Sequence, residues 1–203
     1  MAGKAKLVGK NLAIAEKMLA DISGILEKLK ITYWLEGGTL LGINREERLL
    51  PWDNDMDISI KEAKGKKLFW NSFRFFLKGY RVSYKYFRKD IAPFHKGELR
   101  MIKIRDYKFF PMKGEVLLDI FIKKAVDQSY YWVVGDKNMV LKSSPASLLA
   151  EFTTVDFRGK AYSVPQQYKE YLTHRYKDWQ TPVKEWNFKK DDNAIVENFR
   201  KEK

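Results

Sequence analysis

The chain contains no cysteine. That excludes a disulfide framework and any thiolate-held zinc, and it fits a reducing compartment. No apolar run approaches the ~20 residues needed to cross a bilayer. The basic N-terminus, MAGKAKLVGKNLAIAEKMLADIS, does not read as a secretory leader, because Lys10, Glu16 and Lys17 interrupt it. There is no Pro/Ser-rich linker, internal repeat or low-complexity tract, which argues against disorder. These absences predict a soluble, cytoplasmic protein. They also predict one domain over residues 1–203, with a core at about 11–125 and a C-terminal extension at about 126–203.

Acidic residues are in deficit: 26 Asp plus Glu stand against 39 Lys plus Arg, a net charge of +13. Such a field attracts anions, from nucleotides and phosphorylated glycans to nucleic acid or an acidic membrane face. The bases are spread along the chain rather than gathered in a tail, so the charge implies an anionic ligand without naming it. With 45% hydrophobic residues, the chain can bury a core.

Residues 11–30 carry Leu12, Ala15, Met18, Leu19, Ile22, Leu26 and Leu29 at three- and four-residue steps, the mark of an amphipathic helix. Ile31 to Leu35 is β-branched and aromatic and reads as a strand ended by Gly37-Gly38. Thr39 is placed to cap a short helix, Leu40 to Asn44. Asp55 to Ile60 alternates, with Asp55, Asp57 and Ser59 on one face and Met56, Ile58 and Ile60 on the other. A second amphipathic helix is expected over 61–78, its core face carrying Leu68, Phe69, Phe73, Phe76 and Leu77. Tyr80 to Phe87 and Leu99 to Arg105 alternate as strands, the latter placing Lys103 and Arg105 on one face. After a turn at Pro111–Gly114, Glu115 to Ile122 is a nearly continuous apolar strand broken only by Asp119. A strand pair around Gly135-Asp136, a hairpin turning at Arg158-Gly159 and a helix from Pro165 to about Tyr176 follow. Trp179, Trp186 and Phe188 indicate a terminal segment packed on the body.

Two carboxylates at i and i+2 on a strand can hold a divalent ion, and all-oxygen donors favour Mg²⁺ or Mn²⁺ over zinc. Asp55 and Asp57 are such a pair. Asp119 is a candidate third acid, because a charge inside VLLDIFI is costly to bury unless it meets a metal or a cation. Gly37, Gly38 and Thr39 form a turn at a helix start, where backbone N–H groups cradle phosphate. Arg45, Lys103 and Arg105 are candidate phosphate contacts, with a plain surface role nearly as well supported for each. Each signal alone has an ordinary explanation: a turn, a helix cap, a core ion pair. Their order along the chain, each at a strand or strand end, favours a site. His95 and His174 have no ligand-spaced partner and read as structural.

GGTLLG, then Arg45, then PWDNDMDI, resembles the LicD/fukutin family of the DNA polymerase β-like nucleotidyltransferase superfamily. LLDIF is similar to that family's later strand, and VDFRGKAYSVP with YKEYLTHRYKDW is similar to its C-terminal signature. The resemblance implies an α/β (α+β) minimal nucleotidyltransferase fold: a short mixed sheet flanked by helices, with a small C-terminal hairpin-helix extension. It implies Asp55, Asp57 and Asp119 as catalytic metal-binding acids, and Gly37, Gly38 and Thr39 along the phosphates. It implies transfer of a phospho-alcohol, such as phosphocholine or an alditol phosphate, from a CDP-activated donor to a sugar hydroxyl. Two departures stand out. Asn54 interrupts a run of acids usual in the family, and Glu46-Glu47 replaces a His-Gly-Gly-like stretch.

Three readings follow. The first is that metal-dependent transferase, acting on a glycan or glycolipid, with peripheral contact to a membrane surface compatible with the charge. The second is a nucleotidylyltransferase placing NMP from an NTP on a small hydroxyl acceptor. The third is a non-catalytic anion- or RNA-binding protein on the same fold, which the persistence of all three acids disfavours.

Overall fold

The computed structural model describes residues 5–136, 138–183 and 186–199. The first helix, α1 (Gly9–Lys28), buries Ala15, Met18, Leu19, Ile22 and Leu26, the apolar positions of the sequence pattern. Strand β1 (Tyr33–Glu36) runs directly into α2 (Gly37–Glu46), and a connection through Pro51 leads to β2 (Met56–Lys61). Two short helices, α3 (Gly65–Asn71) and α4 (Phe73–Leu77), precede β3 (Arg81–Tyr86), β4 (Leu99–Phe109) and the long β5 (Met112–Val126). Then come β6 (Ser129–Val134), β7 (Met139–Pro145), the hairpin β8 (Phe152–Phe157) and β9 (Lys160–Pro165), α5 (Tyr168–Tyr176) and β10 (Ile195–Phe199). No described helix is long and apolar enough to cross a membrane.

The fold is mixed α/β. Strand β5 organises it: β2 pairs with it in parallel, β4 antiparallel, and its last residues pair with β6. The β2–β5 pair is the one parallel pairing among the described strands, and all others are antiparallel. Period-two alternation divides the residues between two faces. Ile58, Ile60, Ile102, Ile104, Leu118 and Ile120 face the core that includes α1. The opposite face presents Glu36, Asp57, Asp119 and Lys103, covered by the chain beyond β5.

The architecture differs from the expected short sheet with a small appendage. The main sheet has eight strands, because β6 and β7, the expected strand pair around Gly135-Asp136, extend it together with β10, while β8–β9 and α5 match the expected hairpin and helix. The pairing of β10 with β7 is a long-range contact that no local pattern announces.

The expected helix over 61–78 is broken at Ser72, whose hydroxyl donates to the Phe69 carbonyl at 2.6 Å and meets the Tyr84 hydroxyl. After the break Phe75 faces inward, and Phe73, Phe76 and Leu77, expected in the core, are exposed. The β4–β5 turn is tighter than Pro111–Gly114, since pairing continues to Phe109 and Met112.

Candidate active site

Four strands are in register so that Glu36, Asp57, Asp119 and Lys103 form one row, each the direct partner of the next. Direct cross-strand partners project to the same face. The row therefore brings together acids 83 positions apart in the chain, Glu36 on β1 and Asp119 on β5. It opens into a cleft of about 590 Å³ that Asp53 and Asp55 also line.

The glycines before α2 are set by these carboxylates. Gly37 has a φ of +55°, and a Cβ added there would lie 2.8 Å from Asp57 Oδ2. A Cβ on Gly38 would lie 2.0 Å from Asp53 Oδ2, so that carboxylate would have to move. The close approach of the acids to the backbone thus explains both glycines. The helix cap differs from expectation. Glu36 is the N-cap, its carboxylate accepting from Gly37 N–H at 3.3 Å, and α2 starts two residues before Thr39. The buried Thr39 hydroxyl instead accepts from Asp57 N–H at 2.8 Å and fixes the start of β2.

The acid cluster is electrostatically frustrated. Loss of water around Asp57 raises its carboxyl well above the ordinary range, and the charges of Asp55, Asp119, Asp53 and Glu36 raise it further. Burial and Asp55 push Asp53 up to about 6. Burial pushes Asp119 up to about 6, against the opposing pull of Lys103. Lys103 Nζ donates to Asp119 Oδ2 at 2.5 Å, while Asp119 Oδ1 is buried with no hydrogen-bond partner. Among the described residues no three acid or imidazole groups enclose one point as a closed metal cage. The donor chemistry nevertheless fits a hard cation: crowded carboxylates of raised pKa and an orphaned carboxylate oxygen are what a divalent ion would satisfy.

Beside this cluster lies a second, charge-matched one that the sequence reading missed. Glu36 pairs with Lys123 at 2.6 Å and with Arg175, and accepts from Tyr171 Oη at 2.7 Å, Trp34 Nε1 at 3.1 Å and Ser59 Oγ at 2.9 Å. Arg175 also holds Asp192, which pairs with Lys142 at 2.6 Å. Although burial opposes it, the charges of Lys123 and Arg175 hold Glu36 down at about 2. Burial lowers Lys123 to about 8. This network ties α5 and the segment before β10 to β1 and β5. The charged end of YWLE, inside an otherwise apolar strand, was the one local hint of it.

Of the other expected contacts, Arg45 and Lys103 line the cleft. Arg45 is held by Glu46 at 2.6 Å and donates to the Trp179 carbonyl at 3.2 Å, so the Glu46 that departs from the family pattern fixes its direction. Lys103 is committed to Asp119 rather than left for a phosphate. Arg105 does not line the cleft, and its Nη1 donates to the Gly114 carbonyl at 3.2 Å. Trp179, Trp186 and Phe188 line the cleft wall, so the terminal aromatics pack on the body as expected. His95 lies exposed beside Asp90, and His174 Nε2 meets the Ser143 carbonyl.

The chain is similar to several known proteins. A chain from Rickettsia prowazekii described as an uncharacterized protein is 35% identical over 82 residues, 40% of this chain and 31% of that one. The ribitol-5-phosphate transferase FKTN of Homo sapiens is 25% identical over 187 residues, 91% of this chain and 37% of its own length. The lipopolysaccharide cholinephosphotransferase LicD of Haemophilus influenzae is 28% identical over 128 residues, 58% of this chain and 46% of its own. The chain spans less than half the length of each of these relatives. A crystal structure of ANT(2")-Ia with adenylyl-2"-tobramycin matches with a TM-score of 0.40 and 14% identity over 82% of this chain and 78% of that one. The sequence model of the LicD/FKTN/FKRP nucleotidyltransferase domain matches residues 30–167, which take in the whole acid row and its glycines. The chain belongs to the LicD/FKTN/FKRP nucleotidyltransferase-domain family.

Proposed function

We propose that this chain is a metal-dependent transferase on a minimal nucleotidyltransferase fold. It moves a phospho-alcohol, of phosphocholine or alditol phosphate type, from a CDP-activated donor to a sugar hydroxyl of a glycan or glycolipid. One observation carries the reading: Asp57 and Asp119 are direct partners on the parallel pair, with Asp53 and Asp55 beside them, at a cleft large enough for a nucleotide. The names of two relatives, a ribitol-5-phosphate transferase and a cholinephosphotransferase, supply the class of group transferred.

Asp55, Asp57 and Asp119 are the oxygen donors that would hold Mg²⁺ or Mn²⁺. Such an ion supplies charge neutralisation and alignment at the phosphates. We assign Asp119 to the acceptor hydroxyl. Lys103 holds its Oδ2, and its Oδ1 has no protein partner. The acceptor oxygen bonds to the phosphorus that carries the alcohol, the bridging P–O bond breaks, CMP leaves, and the hydroxyl proton passes to Asp119. Arg45 lines the cleft, and we assign it to the donor's phosphates. Trp179, Trp186 and Phe188 offer flat surfaces for a base or a sugar ring.

Product analysis tests the reading. CMP released from a CDP-alcohol with Mg²⁺ present, and lost in Asp57→Asn, is the expected result. Pyrophosphate released from an NTP instead would make the chain a nucleotidylyltransferase. No turnover with either, together with salt-sensitive RNA binding that survives Asp55→Asn, would make it a binding protein.

A further inference from the structure

On the sheet face opposite the acid row, the molecule exposes a continuous apolar patch. Trp70 is 76% exposed, Phe110 71% and Leu77 73%, with Phe73, Phe76 and Phe109 each above half. The two halves of the patch are joined. A groove of about 310 Å³ between the α3–α4 pair and β3 is lined by Trp70, Phe73, Phe76 and Tyr107. The Tyr107 ring lies 5.4 Å from that of Phe110 at the β4–β5 turn. An exposed aromatic surface of this kind marks an interaction site.

The charge along the segments that build it has one sign, with Asp21 of α1 meeting Lys78 at 3.5 Å from outside them. Between Glu62 and Asp90 the chain has nine Lys or Arg and no acid, and Lys108 and Lys113 flank the turn with no acid between Asp106 and Glu115. Lys66, Lys67, Arg74 and Lys108 are exposed. A second copy of this chain would set like charges against each other. Stacked nucleic-acid bases would use the aromatic rings but gain little from Leu77, Pro111 and Met112, which have no π face. An anionic lipid surface uses both parts: aromatic and aliphatic side chains enter the headgroup boundary while the surrounding cations meet the lipid charge.

We propose that this face, centred on Trp70, Phe76 and the Phe109–Met112 turn, docks the chain on an anionic membrane surface. The Val82 and Tyr84 side of β3 shares the face of Ile102 and Ile104, so the docked face and the acid row lie on opposite sides of the sheet. The cleft stays open to solvent while the chain rests on lipid. The inference does not depend on which reaction the cleft performs.

The test is sedimentation of the whole chain with vesicles of phosphatidylcholine alone and of equimolar phosphatidylcholine and phosphatidylglycerol. We expect binding to the anionic vesicles only, weakened by salt. Trp70→Ser with Phe110→Ser, and separately Lys66→Glu with Lys67→Glu, should each reduce it at least about tenfold, since each removed anchor or charge contributes on the order of 1 kcal/mol. These side chains are exposed, so thermal unfolding should be unchanged. If a variant misfolds, brominated lipid provides a second measurement: it should quench wild-type fluorescence and quench Trp70→Phe much less. Absence of binding to anionic vesicles, or binding indifferent to both variants, overturns the proposal. Capture of single-stranded RNA without vesicle binding, or a concentration-dependent dimer lost in Trp70→Ser, overturns it in favour of those partners.

Discussion

Glu36 and Asp57 are direct partners on neighbouring strands, yet their carboxyls have opposite fates. Glu36 meets Lys123 and Arg175 and stays ionised to about pH 2. Asp57 meets Asp55, Asp119 and Asp53 and is driven towards its neutral form. Both lose water, so burial alone does not separate them. The sign of the neighbouring charge does. A buried acid with matched cations is a lock between chain segments, whereas a buried acid among acids is a place waiting for a positive ligand. One row of the sheet passes from lock to site within a single strand spacing.

The largest expected effect breaks the lock. Glu36→Ala leaves Lys123 and Arg175 buried without their anion and should cost about 3–5 kcal/mol in denaturant unfolding. Adding Lys123→Met should recover part of that loss, because the uncompensated charge goes with it. Equal destabilisation in the single and double variants would mean that the pair is not the lock.

The next change acts on the site. Asp57→Asn should lower turnover by at least about 10²-fold, the scale of losing a positioned catalytic group, without lowering the unfolding temperature. Removing one of several crowded charges relieves repulsion. An unfolding temperature well below wild type, with activity per folded molecule retained, would place Asp57 in the lock instead.

Acidity separates the two clusters by sign. Asp53 and Asp119 are raised from 3.8 to about 6, so the folded state holds more protons than the unfolded one in that window. Their contribution to stability is therefore lost as pH rises from about 4 to about 6, a fall of about 2 kcal/mol for each. Glu36 is lowered from 4.5 to about 2, so its contribution is lost as pH falls through that lower window. Unfolding temperature should thus peak near pH 4 to 5 without divalent ions, and millimolar Mg²⁺ should flatten the decline towards pH 6. A slope unaffected by Mg²⁺ would count against the acids as its holders. The smallest effect belongs to Arg45→Lys. It gives up the paired contacts to Glu46 and Trp179, and should change stability by no more than about 1 kcal/mol while raising the KM for the donor several-fold.

Much of this was legible in the sequence because it is local. The three-and-four periodicity of Leu12 to Leu29 forces a helix to bury one face, and alternation in 55–60 and 99–105 forces strand faces. Asp55, Asp57 and Asp119 stood out because charges beside or within apolar strands need a reason. The break at Ser72 was not legible: an unbroken 61–78 helix fits the apolar spacing as well, and only the fit against Tyr84 and β3 puts Phe75 inside and Phe73 outside. Thr39 was a plausible cap by type, but its hydroxyl was claimed by a strand 18 residues away.

The sequence alone determined which residues are acids, most of the helix and strand stretches apart from the break at Ser72 and β10, and the family. Those follow from side-chain chemistry and backbone period. Tertiary structure decided register and pairing. It set Asp119 beside Asp57, gave Glu36 two cations from β5 and α5, and turned Lys103 towards an acid and Arg105 towards a carbonyl. Such outcomes depend on which distant segments meet, and the energy of a buried charge depends on its neighbours in space rather than on its neighbours along the chain.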